Sequence, residues 1–339
     1  MSSQRIKWID SLKGFAIITV VIGHVADGYL SAGMFSDYKG LMSIIYELIY
    51  AFHMPLFFLV SGYVFQQAYY REGKEDKKRC NMQILNLAVL YIVFSAILWA
   101  FKFVFSGNVN TAVTVKDLFL IVLKPIAPFW YLYVLIFLYI IAKLLLKKEI
   151  GVVFPFIALT VVSVFGFWTP RVIMFPLYQI LYYALFFFTG IFLAKYRDCF
   201  LSKAWFAGVT DFVAIFLMII LWDSEKMFHS TFIANTFIAL GLCMGIVYIF
   251  SRVKPLEKFP LFSLCGKYCL EIYVIHCFLT AGNRVILSKL GIDSFALHFV
   301  VNCVVSTVIP VLIAIVCKGL KIHDLIFRPV RFFTDRKSK

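Results

Sequence analysis

Long polar stretches are what this sequence lacks most. Charged residues make up only 15% of its 339 positions against 62% hydrophobic ones, and the mean hydropathy is +0.90. A chain this apolar cannot hide its side chains in one water-soluble core, which excludes a soluble globular enzyme and makes the bilayer its solvent. No polar segment approaches the roughly 50 residues that a separate soluble domain needs, so residues 1–339 read as a single transmembrane domain. A small-residue cleavage signature is also missing after the basic N-terminus, so the first apolar segment is expected to be retained rather than removed as a signal peptide. The eight cysteines form no C-x-x-C pair. Cys265 and Cys269, one helical turn apart, read as small apolar packing, and no metal site is expected. Neither an internal repeat nor a low-complexity segment is visible.

What is present in abundance is apolar length. A span needs about 20 apolar residues at about 1.5 Å each, and ten segments qualify: 8–27, 44–68, 82–105, 128–146, 150–167, 176–194, 204–222, 232–251, 260–280 and 294–317. The expected fold is therefore all-α and polytopic, with about ten transmembrane helices. Pro125, Pro128, Pro170, Pro176, Pro255 and Pro260 punctuate several boundaries. Residues 113–124 are short and amphipathic, which fits an interfacial or re-entrant helix before the fourth span.

The net charge of +15 is spread over short loops rather than gathered on one face, so it reads as topology and anionic-lipid contact, with no nucleic-acid partner. With both termini in the cytoplasm, most lysines and arginines fall on the inner side, in 71–79, 143–148, 195–203, 252–267 and the stretch from Lys318 onward. Only Lys39, Lys102, Lys116, Lys124, Arg171, Lys226, Arg284 and Lys289 fall on the other side. This asymmetry predicts an N-in, C-in chain. Trp130, Trp168 and Trp222 then stand at outer span ends, as interface anchors do.

Ionisable residues at bilayer depth cost several kcal/mol unless they face a polar interior, which marks them as functional candidates. They are His24, Glu47, His53, Asp211, Glu271, His276 and His298. Counting from Trp8, His24 lies about 24 Å along span one, in the outer part of a core about 30 Å thick. Counting from Pro260 places His276 at a similar depth, with Glu271 about one and a half turns below. A neutral histidine backed by a carboxylate is what a general base for a hydroxyl nucleophile requires. An imidazole hydrogen-bonded between helices is the plain alternative. His298 and His229 read as interface residues, and Asp211 as packing or snorkelling.

The run Arg5-Ile-Lys-Trp-Ile-Asp10-Ser-Leu-Lys13-Gly14, closed by His24 at the end of an apolar helix, resembles the opening signature of the acyltransferase-3 family. Phe52-His53-Met-Pro55-Leu-Phe-Phe-Leu-Val-Ser61-Gly62-Tyr63 is similar to its second-helix segment. Phe129-Trp130-Tyr131-Leu132 and Gly266-Lys-Tyr-Cys-Leu-Glu271-Ile-Tyr273-Val-Ile-His276 resemble two later elements. Within the family the chain looks closest to stand-alone, fucose 4-O-acetylase-like polysaccharide modifiers. It departs after the second span, where Lys77-Lys78-Arg79 is followed by neither the usual second arginine nor the Pro-Tyr pair.

The resemblance implies a membrane O-acyltransferase that moves an acetyl group from cytosolic acetyl-CoA to a sugar hydroxyl of a surface or lipid-linked glycan, in a bacterial inner membrane. It implies that His24 is the catalytic base, with Glu271 and His276 beside it, and that Asp10 and Gly14 belong to the signature. Lys13, Lys78 and Arg79 are expected to bind the donor phosphates, with Lys267 as a further cation. Ser61 and Gly62 are expected to let the pantetheine arm pass. His53, Trp130, Tyr131 and Tyr273 are expected to line the acceptor. Direct transfer and an acyl-histidine intermediate both fit. The rival function is a transporter or flippase for a lipid-linked glycan, since intramembrane histidines and acids also line substrate pathways.

Overall fold

The structure, a computed structural model, describes residues 6–71, 74–108, 110–145, 176–196, 204–220 and 232–337, together with residues 154 and 157. In chain order the helices are α1 (Lys7–Ser31), α2 (Lys39–Tyr69), α3 (Lys77–Val104), α4 (Val115–Leu120), α5 (Trp130–Leu145), α6 (Leu177–Lys195) and α7 (Ala204–Ile220). They continue with α8 (Phe232–Arg252), α9 (Lys254–Glu257), α10 (Pro260–Lys267), α11 (Cys269–Lys289), α12 (Phe295–Gly319), α13 (His323–Phe327) and α14 (Pro329–Lys337). A two-residue antiparallel pair, Tyr70–Arg71 with Lys74–Glu75, joins α2 to α3.

Among the described residues, seven helical segments are long and apolar enough to cross a membrane: Lys7–Ser31, Ser36–Tyr69, Lys77–Val104, Leu177–Lys195, Asn235–Arg252, Cys269–Lys289 and Phe295–Gly319. The shorter apolar helices α5 and α7 fall on the spans predicted at 128–146 and 204–222. The span predicted at 150–167 lies outside the described residues. The chain is thus an all-helical, multi-pass membrane protein. Helix α4 falls within the amphipathic segment 113–124. Its capping box pairs Thr114 with Asp117, and the Thr114 amide and hydroxyl hold the Asp117 carboxyl below the usual carboxylate range.

One boundary differs in a way that matters. The span predicted at 260–280 is divided at Tyr268 into the short α10 and the long α11, and α11 runs on to Lys289. Asn283 and Arg284 look like the end of an apolar segment, yet the helix carries both through because each has partners. Asn283 donates to Asn302 and Ser306 at 3.4 Å, while Arg284 donates to the Gly28 carbonyl and to Asn110. Helix α1 likewise extends beyond the predicted residue 27. It stops where Gly33 takes a left-handed conformation, with Gly33 N–H on the Leu30 carbonyl and Met34 N–H on that of Tyr29.

The chain divides into two compact units. The first comprises Met1–Ala16, Tyr50–Cys80 and Val134–Ser263, and the second Ile17–Ile49, Asn81–Tyr133 and Leu264–Lys339. In the first, glycines let helix backbones touch. Gly14 of α1 lies against the Phe262 carbonyl of α10, Gly62 of α2 against the Phe187 carbonyl of α6, and Gly190 of α6 against the Leu59 carbonyl of α2. Asp211 of α7 sets its carboxylate against Gly245 of α8, a packing role.

In the second unit, a buried polar network ties α1, α11 and α12 together. The Tyr29 hydroxyl meets His298 Nδ1 at 3.2 Å, His298 Nε2 meets the Ile292 carbonyl at 2.7 Å, and Asn302 donates to Tyr29 and to the Thr280 carbonyl. Every ring nitrogen of His298 is therefore used, which makes it a structural histidine.

Candidate active site

Helices α1 and α11 run parallel where they meet in the second unit. His24 lies with its ring centroid 5.2 Å from that of His276, and one turn further along α1 the Gly28 carbonyl receives Arg284, two turns beyond His276. A cavity of about 240 Å³ opens beside this contact. Its walls follow helical stripes: His24, Asp27, Gly28 and Ser31 from α1, Cys277, Thr280, Ala281 and Arg284 from α11, and Leu98, Phe101 and Lys102 from α3. Each set repeats at i, i+3 and i+4, the period of one helix face. Asn110, Thr111, Ala127 and Pro128 complete the lining.

The two imidazoles are not equivalent. His24 is half-buried and lines the cavity, whereas His276 is fully buried. His276 Nδ1 lies 2.7 Å from the Tyr273 carbonyl and 3.1 Å from that of Ile272. Carbonyl oxygens only accept, so Nδ1 carries the proton and Nε2 presents a lone pair. That Nε2 is buried and has no hydrogen-bond partner. The neighbouring imidazole is that of His24, its ring centroid 5.2 Å away.

Glu271 has a different partner from the one expected. It lies two residues into α11, and its Oε1 meets His323 Nε2 at 2.6 Å. The other His323 nitrogen faces Asp324 at 3.1 Å. Glu271 therefore orients an imidazole of the C-terminal helix α13, with 5% and 4% of the two side chains exposed. Removing one partner of such a pair leaves the other buried and unpaired, at a cost of about 3–5 kcal/mol. Glu271→Ala is thus expected to lower the thermal unfolding midpoint and expose the segment beyond Gly319 to protease. An unchanged midpoint with reduced turnover would instead assign Glu271 to the chemistry.

The remaining candidates are distributed over both units. Lys13 pairs with the buried Asp10 at 2.8 Å, one turn back on α1, so the signature Asp holds the signature Lys in place. Lys78 and Arg79 are exposed at the start of α3; the Arg79 amide donates to Asp76, and its guanidinium reaches the Ala68 carbonyl and the Tyr69 ring. Lys267 is exposed, with its ammonium over the Tyr268 ring. Ser61 is half-buried, and the bare face of Gly62 is filled by the α6 backbone. Buried His53 stacks edge-on against Tyr50 at 4.5 Å in the first unit. Tyr131 and Tyr273 are buried against one another at 5.4 Å, the Tyr273 hydroxyl donating to the Pro128 carbonyl. Trp130 is half-buried at the start of α5. Of all these candidates only His24 lines the cavity.

Asp27, Lys102, Asn110 and Arg284 line the cavity and were not foreseen as site residues. A signal for Asp27 existed in its i+3 spacing from His24. Lys102 and Arg284 carry the opposite lesson, because sitting near apolar boundaries they pass for topology charges. No group of three or more His, Cys, Asp or Glu side chains is arranged to hold a metal among the described residues, and the seven described cysteines are free thiols.

The fold is that of a multi-pass helical membrane protein, with the His24 imidazole on the wall of a cavity between its helices. The acyltransferase-3 family model, described as an acyltransferase domain, matches residues 6–315, and the chain belongs to that family. It is a membrane acyltransferase, which decides between the enzyme and the transporter readings. No curated protein and no solved structure matches the chain.

Proposed function

We propose that the protein transfers an acetyl group from cytosolic acetyl-CoA to a sugar hydroxyl of a surface or lipid-linked glycan, with His24 as the general base. The observation that carries this is the pair of imidazoles, one lining the cavity and the other fixed behind it with a lone pair to offer. In the reaction, one His24 N–H donates to His276 Nε2 and the other His24 nitrogen accepts. The acceptor hydroxyl gives its proton to that nitrogen as its oxygen attacks the thioester carbonyl. The carbon–sulfur bond then breaks, and the proton passes to the departing CoA thiolate. His276 acts here as a positioning residue, and the two backbone carbonyls on Nδ1 set its tautomer.

Lys13, Lys78 and Arg79 supply the cations for the CoA phosphates. Along α1, Lys13 and His24 are eleven residues and about 16 Å apart, a length that an extended pantetheine arm spans. The charge asymmetry of the loops supports an N-in, C-in arrangement of about ten spans in an inner membrane, with the whole chain as one catalytic domain of the fucose 4-O-acetylase-like kind. Purified protein in lipid nanodiscs, given [14C]acetyl-CoA and a lipid-linked glycan extract, is expected to release CoA thiol and deposit alkali-labile label in the glycan. Label deposited on another acceptor, or acetyl-CoA left intact while a different acyl-CoA is consumed, would overturn the assignment.

A further inference from the structure

The cavity carries more positive charge than general-base chemistry needs. Of its three charged side chains besides His24, Asp27 and Arg284 balance one another: both lie on the wall around Gly28, and each has fixed partners. Ser31 donates to Asp27 at 3.3 Å, and Arg284 donates to the Gly28 carbonyl and to Asn110 Oδ1, the latter at 2.7 Å. Lys102, half-buried in the last turn of α3, has no carboxylate partner among the described residues. A half-buried ammonium on a cavity wall is costly unless something negative meets it. Arg284 holds five N–H donors, and the two hydrogen bonds above leave part of that fork unused.

From this we infer that the cavity is built for an acceptor bearing an anionic group, a carboxylate or a phosphate, which Lys102 and the free donors of Arg284 engage while a hydroxyl of the same molecule reaches His24. The inference rests on the proposed function, in that it takes the cavity to be the acceptor side. Arg284 lies two turns beyond His276 on α11, in the direction that leads away from Lys13 along the parallel α1. Along α1, Arg284 is thus on the far side of His24 from Lys13, so it serves the acceptor rather than CoA. A single sugar ring with one charged substituent is the kind of ligand that a volume of about 240 Å³ admits.

The test is saturation-transfer-difference NMR on the full chain in nanodiscs, with methyl β-glucoside, methyl β-glucuronide and methyl β-glucoside 6-phosphate as probes in one tube. It reads binding without turnover, so it is separable from failure of the acyl-transfer reading, which the consumption of acetyl-CoA reports. At least one charged probe is expected to give a signal at least about threefold stronger than the neutral glucoside. Which of the two does so distinguishes a carboxylate from a phosphate acceptor. Lys102→Gln should bring all three to the same level, and Lys102→Arg should keep the preference. Lys102 holds no structural bond among the described residues, so the fold is expected to survive, and an unchanged circular-dichroism melt checks this. Equal signals from the three probes, no signal from any, or a preference that persists in Lys102→Gln would overturn the inference.

Discussion

His24→Ala is expected to reduce acyl transfer by about 100- to 10,000-fold, the range that loss of a general base produces, while the protein remains folded in the membrane. The side chain is half-buried at a cavity wall, so truncation enlarges an existing space rather than opening a void in close packing. The companion variant His276→Ala separates base from support. If His276 only fixes the tautomer and angle of His24, its loss lowers kcat while leaving KM for acetyl-CoA near its original value, and by a smaller factor than loss of His24. Comparable losses from the two variants would make the pair a single catalytic unit. Full activity in His24→Ala with the expected loss confined to His276→Ala would exchange their roles.

The second large effect is on folding. Gly62→Leu should prevent recovery of folded protein, because the place of a side chain at that position is occupied by the Phe187 carbonyl of α6, a backbone atom that cannot rotate away. Overpacking of a tight contact costs about 1–3 kcal/mol when side chains can yield, and here the backbone must move. Even Gly62→Ala is expected to lower the unfolding midpoint. Gly282→Ala on α11 is the control, since nothing stands within 4 Å of the position its methyl would take, and its midpoint should hold or rise slightly. A folded, fully stable Gly62→Ala with a raised KM for acetyl-CoA would assign Gly62 to a donor passage.

These two residues also mark what the sequence could disclose. The Asp10-to-Gly14 run, His24 and the Ser61-Gly62 pair were legible because each is a local pattern, a short spacing of unusual residue types on an apolar helix. The structure adds a physical reason for three of them: Asp10 holds Lys13, and Gly14 and Gly62 admit a neighbouring backbone. Long-range pairings were not legible. Glu271 and His323 are 52 residues apart, and no spacing rule links them. The C-terminal stretch read simply as cationic topology residues, where the structure has α13 and α14.

The most instructive miss is at residues 283 and 284. Hydropathy treats Asn and Arg as the close of a span, but burial depends on partners, and the partners of Arg284 come from α1 and from the loop after α3. With that arginine carried inside α11, and the helix starting at Cys269, His276 lies about two turns from the N-terminal end, and Arg284 lines the cavity instead of marking the outer surface.

The measurement that tests the central claim most directly is a structure of the protein with S-acetonyl-CoA, the unreactive ketone analogue of acetyl-CoA. The account predicts that the ketone carbon lies beside His24 at the edge of the cavity, within about 5 Å of a ring nitrogen, so that an acceptor oxygen on that nitrogen stands about 3–3.5 Å from the carbon. A ketone carbon held elsewhere, such as beside Glu271 and His323, would contradict it.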